Sequence, residues 1–255
     1  MLDISIAIVT FNNERTIKKC IKSILKYMDS KFTYKLYVID NHSSDNTLAI
    51  VQCISDKIII IRSEKNIGFG AGHNKLLDIL ESRYHLVVNP DIVIENNCIT
   101  EMTEFMDYNK NIGLLSPLIK YPDGSIQYLC KRNPTFADLF IRLVLPKFFI
   151  KRQQYFEMRE TGYNREFEIE YATGCFMFFR TEIFKKLKGF DEHFFLYLED
   201  ADITRRVNEI SRTVFYPHNY VIHEWQRGTH KIPKLMWLDV QSAFYYFRKW
   251  GFRLY

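Results

Sequence analysis

A chain of 255 residues, 47% hydrophobic and 25% charged, can bury a sizeable core, and that balance excludes an intrinsically disordered protein. The net charge of +5 is uneven: from Gln226 to Tyr255 six Lys and Arg stand against one acid, Asp239. A basic excess confined to the tail argues against a nucleic-acid partner for the body of the chain.

Five cysteines (Cys20, Cys53, Cys98, Cys130 and Cys175) are scattered and form no C-x-x-C pair. That pattern argues against zinc and against a disulfide framework, and reads as free thiols in a reducing cytosol. The run Ile4–Val9 directly after Met1 is too short for a signal peptide or a membrane span.

In chain order, Ile4–Val9 predicts a strand buried on both faces. Ile17, Cys20, Ile21, Ile24, Leu25 and Met28 recur at helical spacing. Strands are expected at Lys35–Ile39 and Lys57–Ile61, with Asp45 capping a helix between them that runs to about Cys53. A glycine-rich loop at Asn66–Gly72 leads to a helix at His73–Leu80. A fourth strand, Tyr84–Val88, ends at Asn89-Pro90-Asp91, where proline cannot continue a ladder.

Alternating strands and helices imply right-handed crossovers and a mostly parallel sheet, with ligands beyond the C-terminal strand ends. Thr10–Asn13, Asp40–Asp45, Asn66–Asn74 and Asn89–Asp91 all fall there. Further on, Tyr121–Ser125 reads as a hairpin turn, Thr135–Phe149 as one apolar stretch and Tyr155–Glu170 as a charged loop. Phe176–Phe179, Thr213–Tyr216 and Tyr220–Ile222 read as strands, and Ala201–Ile210 and Leu235–Trp250 as helices.

Three clusters carry chemistry. Asp91, just past a buried strand, is placed to hold a divalent cation shared with a diphosphate, although an Asx turn also explains N-P-D. The run Glu64–Asn74 holds three glycines within five residues. They permit close backbone approach, with N–H groups free to face phosphate or sugar oxygens. Gly189–Asp202 sets five acids among aromatics, an environment that raises carboxyl pKa values, while Glu199, Asp200 and Asp202 also suit a helix start. His223 closes a strand and becomes a ligand only if the fold brings it to Asp91.

Taken together these segments resemble the family 2 glycosyltransferases. Ile8–Asn12 resembles their opening strand, Val38–Thr47 their V-D-N-x-S-x-D-x-T motif, and Asn66–Asn74 their N-x-G-F-x-x-G-x-N loop. Asn89-Pro90-Asp91 is similar to their D-x-D metal motif, and Gly189–Asp202 to their G-F-D-E-x-F-F-x-Y-x-E-D-x-D segment. The N-P-D and F-F-x-Y-x-E-D forms point to the rhamnosyltransferase-like branch.

The resemblance implies a single α/β domain of GT-A (Rossmann-like) fold, with a mixed, mostly parallel sheet flanked by helices. Residues 1–225 would form it, 1–117 as the nucleotide-binding half and 118–225 as the acceptor and catalytic half; 226–255 would be a basic aromatic helical extension. It assigns Thr10, Asn12, Asp40, Asn41, Asn66, Gly68, Phe69, Asn74 and Asn89 to the donor, with Asp40 on the pyrimidine. Asp91 and His223 would hold Mg²⁺ or Mn²⁺, and Asp200 would be the catalytic base with Glu199 beside it.

The implied reaction is inverting transfer from a nucleotide-diphosphate sugar, dTDP-L-rhamnose in the first instance, to a glycan or polyprenol-linked oligosaccharide in cell-surface polysaccharide synthesis. Another UDP- or GDP-sugar, or a non-catalytic nucleotide-sugar-binding protein, stays open as the alternative. The expected place is the cytoplasm, at the inner face of the cell membrane. The tail reads either as a membrane contact or as a packed helix with a solvated basic face.

Overall fold

The computed structural model describes residues 2–145, 148–224 and 233–255, with the side chains of 233 and 234 outside that description. The first half runs β1 (Leu2–Thr10), α1 (Ile17–Tyr27), β2 (Tyr34–Asp40), α2 (Thr47–Gln52), β3 (Ile58–Arg62) and α3 (Phe69–Asn74). It continues through β4 (Ser82–Val88), β5 (Ile92–Val93), α4 (Cys98–Tyr108) and β6 (Ile112–Lys120). The second half runs β7 (Cys130–Lys131), α5 (Phe136–Val144), α6 (Ile150–Phe156), β8 (Phe167–Glu168), β9 (Tyr171–Ala172) and β10 (Phe176–Arg180). It closes with α7 (Thr181–Lys186), α8 (Glu199–Asn208), β11 (Arg212–His223) and α9 (Pro233–Trp250).

β1 pairs in parallel with β2 on one side and β4 on the other, and β2 with β3. Both edges of β1 are therefore paired, both of its faces are buried, and its sequence is a continuous apolar run rather than an alternating one. Ile4, Ile6 and Ile8 face a core that α1 and α4 complete with Ile17, Ile21, Ile24 and Met102. Ala7 and Val9 face the opposite core, with Phe179, Phe184, Phe190 and Ile203. Each such side chain contributes about 1.5–3 kcal/mol by leaving water.

Beyond β4 the pattern changes. β10 is inserted antiparallel between β4 and β6, and β11 runs parallel to β6. β5 and β8 each pair antiparallel with β11. Among the described residues nine strands form this sheet, and β7 with β9 forms a separate two-stranded ribbon.

Four local expectations are revised. The helix expected at His73–Leu80 starts at Phe69, so the glycine segment is its first turn. The apolar stretch at 135–149 divides between α5 and α6, with Thr135 and Asp138 forming a capping box at the start of α5. Residues 155–170 are anchored by Tyr163, whose hydroxyl donates to the Cys130 carbonyl at 2.9 Å. The two short strands at 213–222 are one strand, β11, with an irregularity between Tyr216 and Tyr220.

α9 packs onto the body. Tyr246 is buried with Phe194, Leu198 and Ala201, and the Ser242 hydroxyl donates to the Leu196 carbonyl at 2.8 Å. Among the described residues no helix is long and apolar enough to cross a membrane.

Candidate active site

The C-terminal ends of β1 and β2 form one floor. The Asn41 amide N–H donates to the Thr10 carbonyl at 2.8 Å, and the Asn12 side-chain oxygen accepts from the Ser44 N–H at 2.8 Å. Thr10 Oγ1 donates to Asn13 Oδ1 at 3.0 Å. Asn41 is buried, donates through Nδ2 to the Gly68 carbonyl at 2.8 Å and accepts from the Ser63 hydroxyl. The side chains of Thr10, Asn12 and Asn41 thus hold the floor in shape. Asp40 differs: it is fully buried, Oδ1 accepts from the Ser43 N–H, and Oδ2 has no hydrogen bond, with Arg62 Nε 3.7 Å away. An unsatisfied buried carboxylate oxygen at this floor is an acceptor waiting for a donor group.

The glycine loop serves close approach to protein. Gly68 has φ +91°, and a Cβ there would lie 2.3 Å from the Phe195 carbonyl oxygen. The Gly68 N–H is taken by Asn66 Oδ1 at 3.0 Å, and the Phe69 N–H by the Phe195 carbonyl at 3.1 Å. The Gly68 and Phe69 amides are thus used within the protein and lock the loop onto the acidic segment. Asn74 does the same. Its Oδ1 accepts from the Phe190 N–H at 2.9 Å, and its Nδ2 donates to the Phe190 carbonyl and to Glu192 Oε1. These bonds commit the Asn74 amide to holding residues 190–192.

Asp91 and His223 meet because β5 and β11 pair: His223 lies opposite Ile92, the residue after Asp91. Asp91 Oδ1 is buried, has no hydrogen bond and lies 3.4 Å from His223 Nε2. Gln127, buried after the 121–125 turn, fixes the imidazole. Its Nε2 donates to the His223 carbonyl at 2.8 Å, and its Oε1 lies 2.9 Å from His223 Nδ1. With the Gln127 amide hydrogens used in this way, Nδ1 carries the proton and Nε2 faces Asp91. A buried carboxylate oxygen that lacks a hydrogen bond and faces a ring nitrogen fits a cation between them, and the third partner fixing the ring is typical of ligand sites. Imidazole with carboxylate suits Mn²⁺ well, and Mg²⁺ through its preference for oxygen. Among the described residues no cluster of three such ligands occurs.

The acids stand at the start of α8. Tyr197 and Leu198 both adopt left-handed backbone, at φ 71° and 64°. Such conformations cost about 1–3 kcal/mol each and persist only where the surroundings enforce them. The Asp200 carboxylate accepts from the Gly174 N–H at 2.8 Å and from the Ala201 N–H at 2.9 Å. Each carboxylate oxygen thereby has one backbone donor. Glu199 Oε2 is buried without a hydrogen bond. Burial first, and the neighbouring Asp200 charge second, push the Glu199 carboxyl well above the usual carboxylate range. Asp202 is fully buried and structural, bonded to Arg206 Nε, Trp250 Nε1 and Lys249 Nζ.

Gly174 and Cys175 join the two halves. The Gly174 N–H holds Asp200, and the Cys175 carbonyl accepts from the Asn89 N–H at 2.9 Å. A Cβ on Gly174 would lie 3.3 Å from both Asp200 Cβ and Phe69 Cε1. The Asp91–His223 pair and Asp200 are therefore rigidly related through two residues. A cavity of about 530 Å³ opens beside the acids and is lined by Glu199, Asp200 and His223, with Lys131 and Arg142. The structure gathers the residues singled out by motif; Gln127, Gly174 and Lys131 carry no sequence signal and are added by it.

A mostly parallel sheet with an antiparallel insertion, and carboxylates at its C-terminal edge, is the architecture of GT-A glycosyltransferases. A crystal structure of Staphylococcus aureus TarS in complex with UDP-GlcNAc superposes with a TM-score of 0.64 at 20% identity, over 90% of this chain and 60% of that one. The sequence model of Glycosyl transferase family 2 matches residues 5–188, and the chain belongs to that family. It is 24% identical over 207 residues to the N-acetylglucosaminyl-diphospho-decaprenol L-rhamnosyltransferase of Mycobacterium tuberculosis, covering 76% of this chain and 67% of that protein. It is also 24% identical over 227 residues to Rhamnosyltransferase WbbL of Escherichia coli K12, covering 86% and 82%. The chain spans less than two thirds of the crystallised TarS chain.

Proposed function

We propose that this chain is an inverting glycosyltransferase that moves L-rhamnose from dTDP-L-rhamnose to a hydroxyl of a lipid-linked glycan. The observation that carries the reading is the Asp200 carboxylate, held in place by two backbone N–H groups and tied through Gly174–Cys175 to the strand end that bears Asp91. The two rhamnosyltransferase relatives favour rhamnose as the sugar.

In this reading the nucleotide lies over the β1–β2 floor, where Asp40 Oδ2 accepts from the pyrimidine N–H. Thr10, Asn12, Asn41, Asn66 and Asn89 shape that floor, and Gly68 and Phe69 bring the loop to the sugar. Asp91 and His223 are the residues that would hold Mg²⁺ or Mn²⁺, with the donor diphosphate completing the shell. When bound, the cation supplies Lewis-acid stabilisation of the charge on the departing diphosphate. Asp200 takes the proton of the acceptor hydroxyl as its oxygen attacks the anomeric carbon from the face opposite the leaving group. Each Asp200 oxygen keeps a lone pair beyond its backbone bond for this task. Burial and the Asp200 charge raise the pKa of the Glu199 carboxyl, which disfavours a second negative charge beside the base.

Peripheral membrane contact belongs to the same proposal. α9 exposes Met236, Val240 and Phe244 at intervals of four, and α5 exposes Phe136, Phe140 and Val144 likewise. Of the basic tail residues, Arg227 and Lys231 lie outside the described residues, as does the Lys234 side chain.

The test is calorimetric titration of dTDP-L-rhamnose and of UDP- and GDP-sugars, with Mn²⁺ and with EDTA, into wild type and Asp91→Ala. One nucleotide sugar should bind in a Mn²⁺-dependent way that Asp91→Ala weakens. Equal affinity in all four arms would remove the metal role, and no binding by any donor would remove the transferase reading.

A further inference from the structure

Lys131 lies on the β7–β9 ribbon opposite Tyr171 and projects into the cavity beside the acids. The residue is only 7% exposed. Three arginines share the cavity wall, and each has a carboxylate: Arg152 with Asp138 at 2.6 Å, Arg159 with Glu157 at 2.6 Å and Arg142 with Asp239 at 3.4 Å. Lys131 is different. Among the described residues its ammonium makes no hydrogen bond and no ion pair, and its contact is the face of the Tyr171 ring, 4.7 Å to the centroid.

A buried ammonium with no counter-ion is costly, and a cation–π contact offsets only part of that cost. Burial first, and the charge of Arg142 second, push Lys131 down to about 8. Asp200 pulls the other way. Of the four cations lining the cavity, Lys131 has no carboxylate of its own among the described residues, and it stands with Arg142 near the carboxylate that would act as base.

The cavity touches Glu199, Asp200 and His223 but none of Thr10, Asp40, Asn66, Gly68 or Asp91. It therefore lies on the acceptor side of the catalytic carboxylates and not over the nucleotide floor. A dianion suits a compact ammonium backed by a guanidinium better than a neutral sugar does.

We propose that Lys131, with Arg142 beside it, is the anion subsite of the acceptor and receives a phosphate group carried next to the accepting hydroxyl. The proposal rests on the transferase reading above and adds the chemistry by which the acceptor is held and oriented at Asp200. It also gives α5 a double role, with Arg142 facing the cavity while Phe140 and Val144 stand exposed on the outer surface.

The test uses the full chain in EDTA, with Lys131→Met and Lys131→Arg, and measures binding of octyl diphosphate, octyl glucoside and UDP by calorimetry below micelle concentrations. Wild type should bind octyl diphosphate more tightly than octyl glucoside. Lys131→Met should weaken octyl diphosphate by about ten- to a hundredfold, the worth of a hydrogen bond to a charged group, and leave UDP unchanged. Lys131→Arg should retain most of the affinity. Removing an uncompensated buried charge does not harm folding, so Lys131→Met should melt at or above the wild-type temperature.

Unchanged octyl diphosphate affinity in Lys131→Met would overturn the proposal, as would a wild type indifferent to the diphosphate. Loss of UDP in place of octyl diphosphate would move Lys131 to the donor and overturn it equally. The octyl diphosphate outcomes do not depend on the donor's identity, so a failed donor screen sinks the transferase reading by a separate result.

Discussion

Glu199→Gln separates the two acids. Glu199 is buried beside Asp200, and both burial and that charge raise its pKa above the ordinary 4.5. Between 4.5 and the raised value the folded protein keeps a proton that the unfolded chain has lost. The stability associated with that proton is present below 4.5 and is lost as pH rises through the folded pKa. Within that window wild type loses about 1.4 kcal/mol per pH unit from this one group. The glutamine of the variant is neutral at every pH and escapes the loss. For a chain of this size the difference in Tm should therefore grow by roughly 3–6 °C per pH unit in favour of the variant, until the folded Glu199 ionises. The assay is thermal unfolding of both proteins from pH 4 to pH 8. Transfer activity at neutral pH should stay within about tenfold of wild type, since a glutamine keeps the shape of the side chain and leaves the Asp200 base in place. A flat Tm difference across that range would refute the assignment of the retained proton to Glu199. So would a loss of activity as large as that expected for removal of Asp200.

Two further outcomes follow from the geometry. Gln127→Leu should weaken Mn²⁺-dependent donor binding by about 10–100-fold and leave binding in EDTA unchanged, because it frees the His223 ring that faces Asp91; calorimetry in the two buffers reads this directly. Gly68→Ala should lower Tm markedly, since a Cβ 2.3 Å from the Phe195 carbonyl oxygen adds a clash to a φ of +91°; a Tm within a degree of wild type would show that the loop does not sit against residue 195.

The N-terminal half was legible because parallel strands covered on both faces read as apolar runs, and the polar groups at their ends appear as motifs. Asp40 and Asp91 belong to that half. Roles within it were less legible. Asn41 and Asn74 look like ligand groups in sequence, yet their amides are bonded to Gly68 and Phe190. A side chain that clamps a loop and one that binds a ligand are the same residue type at the same place.

Beyond β4, little could be read. β10 enters the sheet between β4 and β6 from 56 positions beyond β6, so no local pattern announces it. Gln127 reaches His223 across 96 residues, and Gly174 reaches Asp200 across 26. Lys131 sits in a short ribbon with no periodicity to reveal that it is buried. The single apolar stretch at 135–149 gave no sign of its division into α5 and α6, although Thr135 and Asp138 at capping-box spacing mark where α5 begins.

The central claim is that Asp200 removes the acceptor proton at a site whose donor half is built elsewhere. The direct measurement is steady-state transfer and donor affinity in Asp200→Asn. Turnover should fall by about 10²–10⁴-fold while donor affinity stays near wild type. Full turnover in Asp200→Asn would contradict the account, and so would a loss of donor binding in place of turnover.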